Sequence, residues 1–291
     1  MKKSILLFIF VLGASTLFAQ KQKVENSLLW EISGKKIKQP SYLFGTIHLI
    51  CEGQYLWTDR MNDAFNATQQ LYLELPMADK DFRTQLIRAL ELPKNISWED
   101  YFTKDQYEKL DAYFRDSLQT LLPIFFALKP LAVISFTMQR LADCNGNTPV
   151  MYEQKLMELA QKNNVPVKGL ETVAEQMSLF DNLPKDSVAK MLMGIVENAT
   201  TAKLQMSRMQ QYYKEQNLQK LMEEVSQSQE LELSSPDNAF IDQRNKKWVP
   251  TIIAIAKNEP TFFAIGAGHL SGKNGLISLL RKKGYKVKPI K

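Results

Sequence analysis

Hydrophobic positions along this chain follow two rhythms, and the switches between them mark out the elements. Leu28 to Ile32 and Ser41 to Ile47 are short apolar runs rich in Trp, Tyr, Phe and β-branched residues. The polar turn Gly34-Lys35-Lys36 and Pro40 separate them, which predicts a strand pair. Thr58 to Asn66 changes to helical spacing, and Gln70 to Leu75 returns to a strand pattern that ends at Glu74 and Pro76. This alternation predicts a parallel sheet. From Asp79 to Cys144 apolar side chains recur three and four residues apart, punctuated by Pro93, Pro123 and Pro130, which predicts a helical stretch. A helix over Met151 to Lys162 leads into a short buried strand over Val165 to Leu170 that stops at Glu171.

Pro184 to about Glu230 contains Gly194 as its single glycine and is rich in Met, Gln, Leu, Lys and Glu, so one or two long amphipathic helices are expected. Its stripe of Met191, Met193, Met206 and Met209 reads as core packing. Ser234 to Asp237 reads as a loop and cap before a helix from Asn238 to Asn258. Thr261 to Ile265 is the clearest strand, followed by a helix over Asn274 to Lys283 and a last strand over Tyr285 to Pro289. The expected fold class is α/β: a central, mostly parallel sheet flanked by helices, with a large helical insertion.

The start of the chain belongs to a different plan. Lys2 and Lys3 precede an apolar run from Ile5 to Leu12, and Leu17 and Ala19 precede Gln20, the layout of a secretory signal peptide cleaved after Ala19. The expected product, residues 20–291, folds as one domain exported to the periplasm or the extracellular space. No later stretch offers a membrane span, at the carboxy terminus or elsewhere. Cys51 and Cys144 are the only cysteines, and two readings stand: a disulfide in an oxidising compartment, or two buried free thiols.

The net charge of +6 suggests nucleic acid until it is located. Removing the leader leaves 35 basic against 31 acidic side chains. Six of the basic residues lie between Arg281 and Lys291, where there is no acid. A helix end and an edge strand account for that cluster, and no nucleic-acid partner is expected.

The two histidines of the chain occupy matching positions. Gly45-Thr46-Ile47-His48 and Gly266-Ala267-Gly268-His269 both follow apolar strands and both read Gly-x-x-His. In a parallel sheet the carboxyl ends of strands share one edge, where ligands bind, so the two imidazoles are expected at a common point. Imidazole is the commonest metal ligand and moves protons near neutral pH. Glu74 and Glu171 end two further strands. Glu74 reads as a metal ligand or general base, whereas Glu171 reads either as part of the site or as a cap for the next helix. Arg244 is either a solvated helix residue or a partner for a substrate carboxylate or oxyanion. Two histidines and a carboxylate make a hydrolytic metal-site pattern: His48, Glu74 and His269 would hold Mn²⁺, Co²⁺ or Zn²⁺, with Glu171 and Arg244 assisting.

Taken together, Leu43-Phe44-Gly45-Thr46-Ile47-His48-Leu49, Leu73-Glu74-Leu75, Gly169-Leu170-Glu171-Thr172 with Gln176, Arg244-Asn245, and Gly266-Ala267-Gly268-His269-Leu270 with Gly272 and Gly275-Leu276 resemble the TraB/GumN family, which includes the animal TIKI proteins. The resemblance implies an α/β fold related to erythromycin esterases and heme-binding ChaN proteins. It also implies the metal-dependent peptidase activity of TIKI, with a peptide or small molecule as substrate. Apart from the resemblance, a cleft between the Met-rich helical segment and the strand ends is where a substrate is expected to lie. Two other outcomes stay open under the resemblance. One is a metal-free esterase-like hydrolase with His48 as base, and the other is a protein that sequesters a peptide, pheromone or heme without turnover.

Overall fold

The computed structural model describes residues 25–142, 144, 149–227 and 239–291. The expected leader at 1–19 and the loop Ser234 to Asp237 lie outside the described residues. In chain order the elements are β1 (Leu29–Ser33), β2 (Ser41–Thr46), β3 (Leu49–Ile50), α1 (Asp59–Asn66), β4 (Gln70–Leu73), α2 (Phe82–Leu90), α3 (Lys104–Asp116), α4 (Pro130–Leu141), β5 (Val150–Met151), α5 (Tyr152–Lys162) and β6 (Val167–Gly169). They continue with α6 (Val173–Asp181), α7 (Lys185–Glu197), α8 (Ala199–Lys214), α9 (Leu218–Gln227), α10 (Ala239–Asn258), β7 (Thr261–Gly266), α11 (Leu276–Lys282) and β8 (Lys286–Ile290).

Six strands form one sheet in the order β6-β4-β7-β2-β1-β8. The neighbours β6, β4, β7 and β2 run parallel, and β1 is antiparallel to both β2 and β8. β7 is central, and its run Thr-Phe-Phe-Ala-Ile is buried on both faces, as a parallel strand covered by helices requires. β8 sits at an edge, where Lys286 and Lys288 point to solvent and Val287 inward, so part of the basic tail is edge-strand chemistry. The expected mostly parallel α/β sheet is therefore present.

Two apolar clusters hold the helices. One surrounds the sheet and includes Trp30, Phe44, Phe262, Phe263, Tyr213 and Trp248. The other lies among helices α3, α4 and α7 and includes Trp98, Phe114, Leu122 and Leu192. Met191 and Met193 are buried in this second cluster, in line with their reading as core. Among the described residues the stretch expected as one or two long helices is three, α7, α8 and α9. Asn198 leaves helical geometry at ψ 30°, and Gln216 adopts a positive φ of 53° between α8 and α9. Periodicity alone does not reveal such breaks, because the apolar spacing continues across them.

A small antiparallel pair, β3 with β5, lies outside the main sheet, and Cys51 directly after β3 is bonded to Cys144. The disulfide reading of the two cysteines is the one realised. It closes a loop with a sequence separation of 93. Replacing both cysteines by serine is expected to lower stability by about 2–4 kcal/mol, chiefly by freeing the unfolded chain. Urea denaturation of the oxidised parent beside the double variant measures the difference.

Candidate functional site at the carboxyl edge of the sheet

Four parallel strands deliver four site residues to one edge. His48 follows β2, His269 follows β7, Glu74 follows β4 and Glu171 follows β6, so the row across the sheet reads Glu171, Glu74, His269, His48. The fifth expected residue, Arg244, comes from α10 and reaches into this row. The last turn of β4 and the start of the segment after β6 are tied by backbone bonds from Leu170 and Glu171 to the Glu74 carbonyl at 3.1 and 3.0 Å. These bonds fix the two carboxyl groups side by side.

The glycines of the two Gly-x-x-His motifs act through close approach. Gly266 has an ordinary φ of −52°, but a Cβ there would come within 3.2 Å of Glu74 Oε1. Its bare backbone lets the Gly266 N–H donate to that oxygen at 2.7 Å. At Gly45 a Cβ would lie 2.7 Å from Leu270 Cδ1 and 3.1 Å from Ala267 Cα, so the first motif packs directly against the second.

Arg244 is the hub. Its Nη2 donates to Glu74 Oε2 at 2.5 Å and to Glu171 Oε1 at 2.7 Å, and Nε also donates to Glu171 Oε1 at 3.0 Å. Nη1 lies 3.1 Å from His269 Nε2. Gln176 Nε2 donates to Glu74 Oε2 at 3.3 Å and Glu171 Oε1 at 3.0 Å, and Trp248 Nε1 donates to Glu171 Oε2 at 3.2 Å. The Trp248 ring lies under both Arg244 and His269, each with a separation of 4.5 Å. Glu171 does not cap α6. Thr172 is the N-cap, and it exchanges hydrogen bonds with Glu175.

The network fixes the state of His269. Asn245 Nδ2 donates to the carbonyls of His269 and Asn274, so Asn245 Oδ1 accepts from His269 Nδ1–H at 2.7 Å. Nε2 is then the bare nitrogen, and it accepts from Arg244. Burial, together with the Arg244 and His48 charges, lowers the His269 pKa to about 4. Burial opposes the charge on Glu74, but His269, Arg244, His48 and the Gly266 N–H outweigh it and bring its pKa to about 2.

His48 stands apart. Its side chain is 71% exposed, and its Nδ1 lies 3.2 Å from Oε1 of Glu153, whose carboxyl is 10% exposed. The Glu153 charge raises the His48 pKa to about 9. Glu153 and Trp248 were not legible as site residues. Glu153 lies in the first turn of α5, where an acid ordinarily complements the helix dipole.

These pKa values set a pH dependence for the metal-free protein. His269 falls from 6.5 to about 4 and Glu74 from 4.5 to about 2, so the unfolded chain binds more protons across both intervals. Their contribution is complete above pH 6.5 and is lost as pH falls, first through His269 and then through Glu74. His48 acts in the opposite sense above pH 6.5, and solvent screens it. The urea midpoint is expected to drop between pH 7 and pH 4, and His269→Ala is expected to flatten that drop.

The donors suit a divalent ion in type and protonation. Glu74 is anionic, and His269 is neutral with its Nδ1 held by an amide oxygen, the outer-sphere support that metal-bound imidazoles have. Glu74 Oε1 and His269 Nε2 are 3.8 Å apart, slightly wider than the roughly 3.3–3.6 Å between two donors about 2.0–2.2 Å from one tetrahedral ion. His48 does not converge with them. Among the described residues no three His, Cys, Asp or Glu side chains stand together closely enough to hold an ion. The Arg244 guanidinium occupies the space among Glu74, Glu171 and His269.

The model of the TraB/PrgY/gumN family matches residues 28–289, which takes in every site residue above. The chain belongs to the TraB/PrgY/gumN family. Curated relatives of this family member include a metalloprotease TIKI homolog of Nematostella vectensis, 22% identical, with 93% of this chain and 68% of the relative covered. Another, from Amphimedon queenslandica, is 23% identical over 90% of this chain and 61% of its own. Metalloprotease TIKI1 of Danio rerio is 24% identical over 90% of this chain and 63% of its own. The chain thus spans between 61% and 68% of the length of these relatives. No solved structure gives a significant match. Among the described residues no helix is long and apolar enough to cross a membrane.

Proposed function

We propose that this family member is a metal-assisted hydrolase of peptide bonds, with His48, Glu74 and His269 as the ligands of Mn²⁺, Co²⁺ or Zn²⁺ once Arg244 withdraws from Glu74 and His269 and the exposed His48 ring turns towards them. The observation that carries the reading is the bare Nε2 of neutral His269, 3.8 Å from an oxygen of anionic Glu74, at the sheet edge where α/β proteins bind ligands. The metalloprotease names of the relatives point to the same chemistry. A bound ion there would supply Lewis acidity and a more acidic water. Asn245 holds the His269 tautomer through Nδ1, and the Gly266 N–H holds Glu74 Oε1 in place. Arg244 offers a fork of N–H groups that suits a substrate carboxylate or a developing oxyanion, while Glu171 and Gln176 hold the network around it. Residues 20–291 form one exported unit in this reading, and the disulfide fits an oxidising compartment.

One observation favours a second reading. An exposed His48 backed by the Glu153 carboxyl is also the arrangement of an oriented general base, which would serve a metal-free esterase at alkaline pH, where the ring with its pKa of about 9 gives up its proton. The two separate cleanly. A peptide mixture is incubated with residues 20–291 and the products are read by mass spectrometry, with and without chelator. The proposal expects turnover to fall more than about 100-fold on chelation and to return with Mn²⁺, Co²⁺ or Zn²⁺. Turnover that survives chelation would transfer the chemistry to His48 as base, and binding without product would make the protein a sequestering one.

A further inference from the structure

Beneath His48 lies a carboxyl group that neither Gly-x-x-His motif contains and to which the metal-assisted reading gives no role. Glu153 is 8% exposed in a chain whose other acids are mostly at the surface. Its Oε1 accepts from Thr46 Oγ1 at 3.0 Å and meets His48 Nδ1 at 3.2 Å. Its Oε2 is buried and has no hydrogen-bond partner among the described residues. A buried carboxyl oxygen left bare is costly, and an apolar side chain would fill the same space at lower cost if packing were the only need.

Local structure is arranged to keep it there. The β3–β5 pair joins Leu49, the residue after His48, to Met151, two residues before Glu153. The Cys51–Cys144 bond fastens the same corner. Tyr152, next to Glu153, is locked to both backbone groups of Leu56, accepting from its N–H at 2.9 Å and donating to its carbonyl at 2.6 Å. Thr46 is the buried last residue of β2. A surface ion pair would leave both partners free in solvent, whereas here only the imidazole is exposed and the carboxyl is walled in. His269 is gripped in the same way at Nδ1, by Asn245.

We propose that Glu153 is the positioning residue of His48: it accepts a hydrogen bond from Nδ1–H of the ring and so leaves Nε2 facing away from the carboxyl as the working nitrogen, as Asn245 does for His269. The purpose rests on the hydrolase reading, while the geometry does not, and the test keeps the two apart. The chain has two histidines, so ¹⁵N-histidine NMR of the metal-free protein shows two rings, assigned with His48→Ala. Glu153→Gln keeps the size of the side chain and removes its charge. It is expected to move the His48 ring nitrogen signals and leave those of His269 in place. Titration with Co²⁺ alone is expected to show a roughly 10–100-fold weaker affinity in Glu153→Gln than in the parent. His48→Ala is expected to keep only the weak residual affinity of Glu74 and His269 for Co²⁺, measured at high ion concentration, and adding Glu153→Gln is expected not to weaken it further, because Glu153 acts through His48. His48 signals unchanged in Glu153→Gln, or a double variant weaker than His48→Ala by the full Glu153 effect, would overturn the proposal. A parent that binds no Co²⁺ but shows the NMR shift would remove the metal and leave the positioning role standing.

Discussion

Arg244→Ala is expected to cost about 3–5 kcal/mol of stability in the metal-free protein at neutral pH, read as a lower urea midpoint. The side chain is 12% exposed and neutralises two carboxyl groups at once, Glu74 at 12% and Glu171 at 2% exposure. Removing it leaves both buried without their cation, and an uncompensated buried charge costs far more than the pair contributes. Three nitrogens of the guanidinium are engaged, on Glu171, Glu74 and His269, so lysine, with one nitrogen, should not rescue it. Adding Glu74→Gln and Glu171→Gln to Arg244→Ala should recover a large part of the loss, because the stranded charges disappear with them. An Arg244→Ala protein as stable as its parent would show that the carboxyl groups are satisfied elsewhere and that Arg244 does not hold the network together.

Much of this architecture is legible in the chain because local pattern and tertiary role coincide. Thr261 to Ile265 reads as a buried strand and is the central one, and the Gly-x-x-His repeats read as strand-end turns and lie at adjacent ends. Glu74 and Glu171 are legible as strand-terminal acids for the same reason. What escapes is whatever depends on partners distant in sequence. Glu153 is 105 positions from His48, and nothing in its own neighbourhood distinguishes it from an ordinary first-turn acid. Glu171 reads more readily as a helix cap until Arg244, 73 positions later, claims its oxygens. The expected gathering of His48, Glu74 and His269 is realised for the last two, while His48 remains on the solvent side against Glu153.

His269→Ala carries the second large effect. It removes the one bare nitrogen held beside Glu74 and leaves Asn245 Oδ1 and Arg244 Nη1 without their partner. Under the proposed metallohydrolase reading, in which His269 is a direct ligand, peptide hydrolysis is expected to fall by more than about 100-fold, beyond the 10–100-fold loss typical of an outer-sphere contact. His48→Ala should lower it too, and because the ring is largely exposed its loss opens no cavity, so its stability cost is confined to the Glu153 carboxyl that loses its partner. Glu171→Gln should lower turnover less than either histidine change, because it touches the site through Arg244.

The most direct test of the central claim is elemental analysis of purified residues 20–291 after exposure to Mn²⁺, Co²⁺ or Zn²⁺ and removal of free ions, beside His48→Ala and His269→Ala. The account predicts close to one ion per chain in the parent and loss of that ion in both variants. A parent that retains no ion, or variants that retain it as the parent does, would contradict the claim that these two histidines build a metal site.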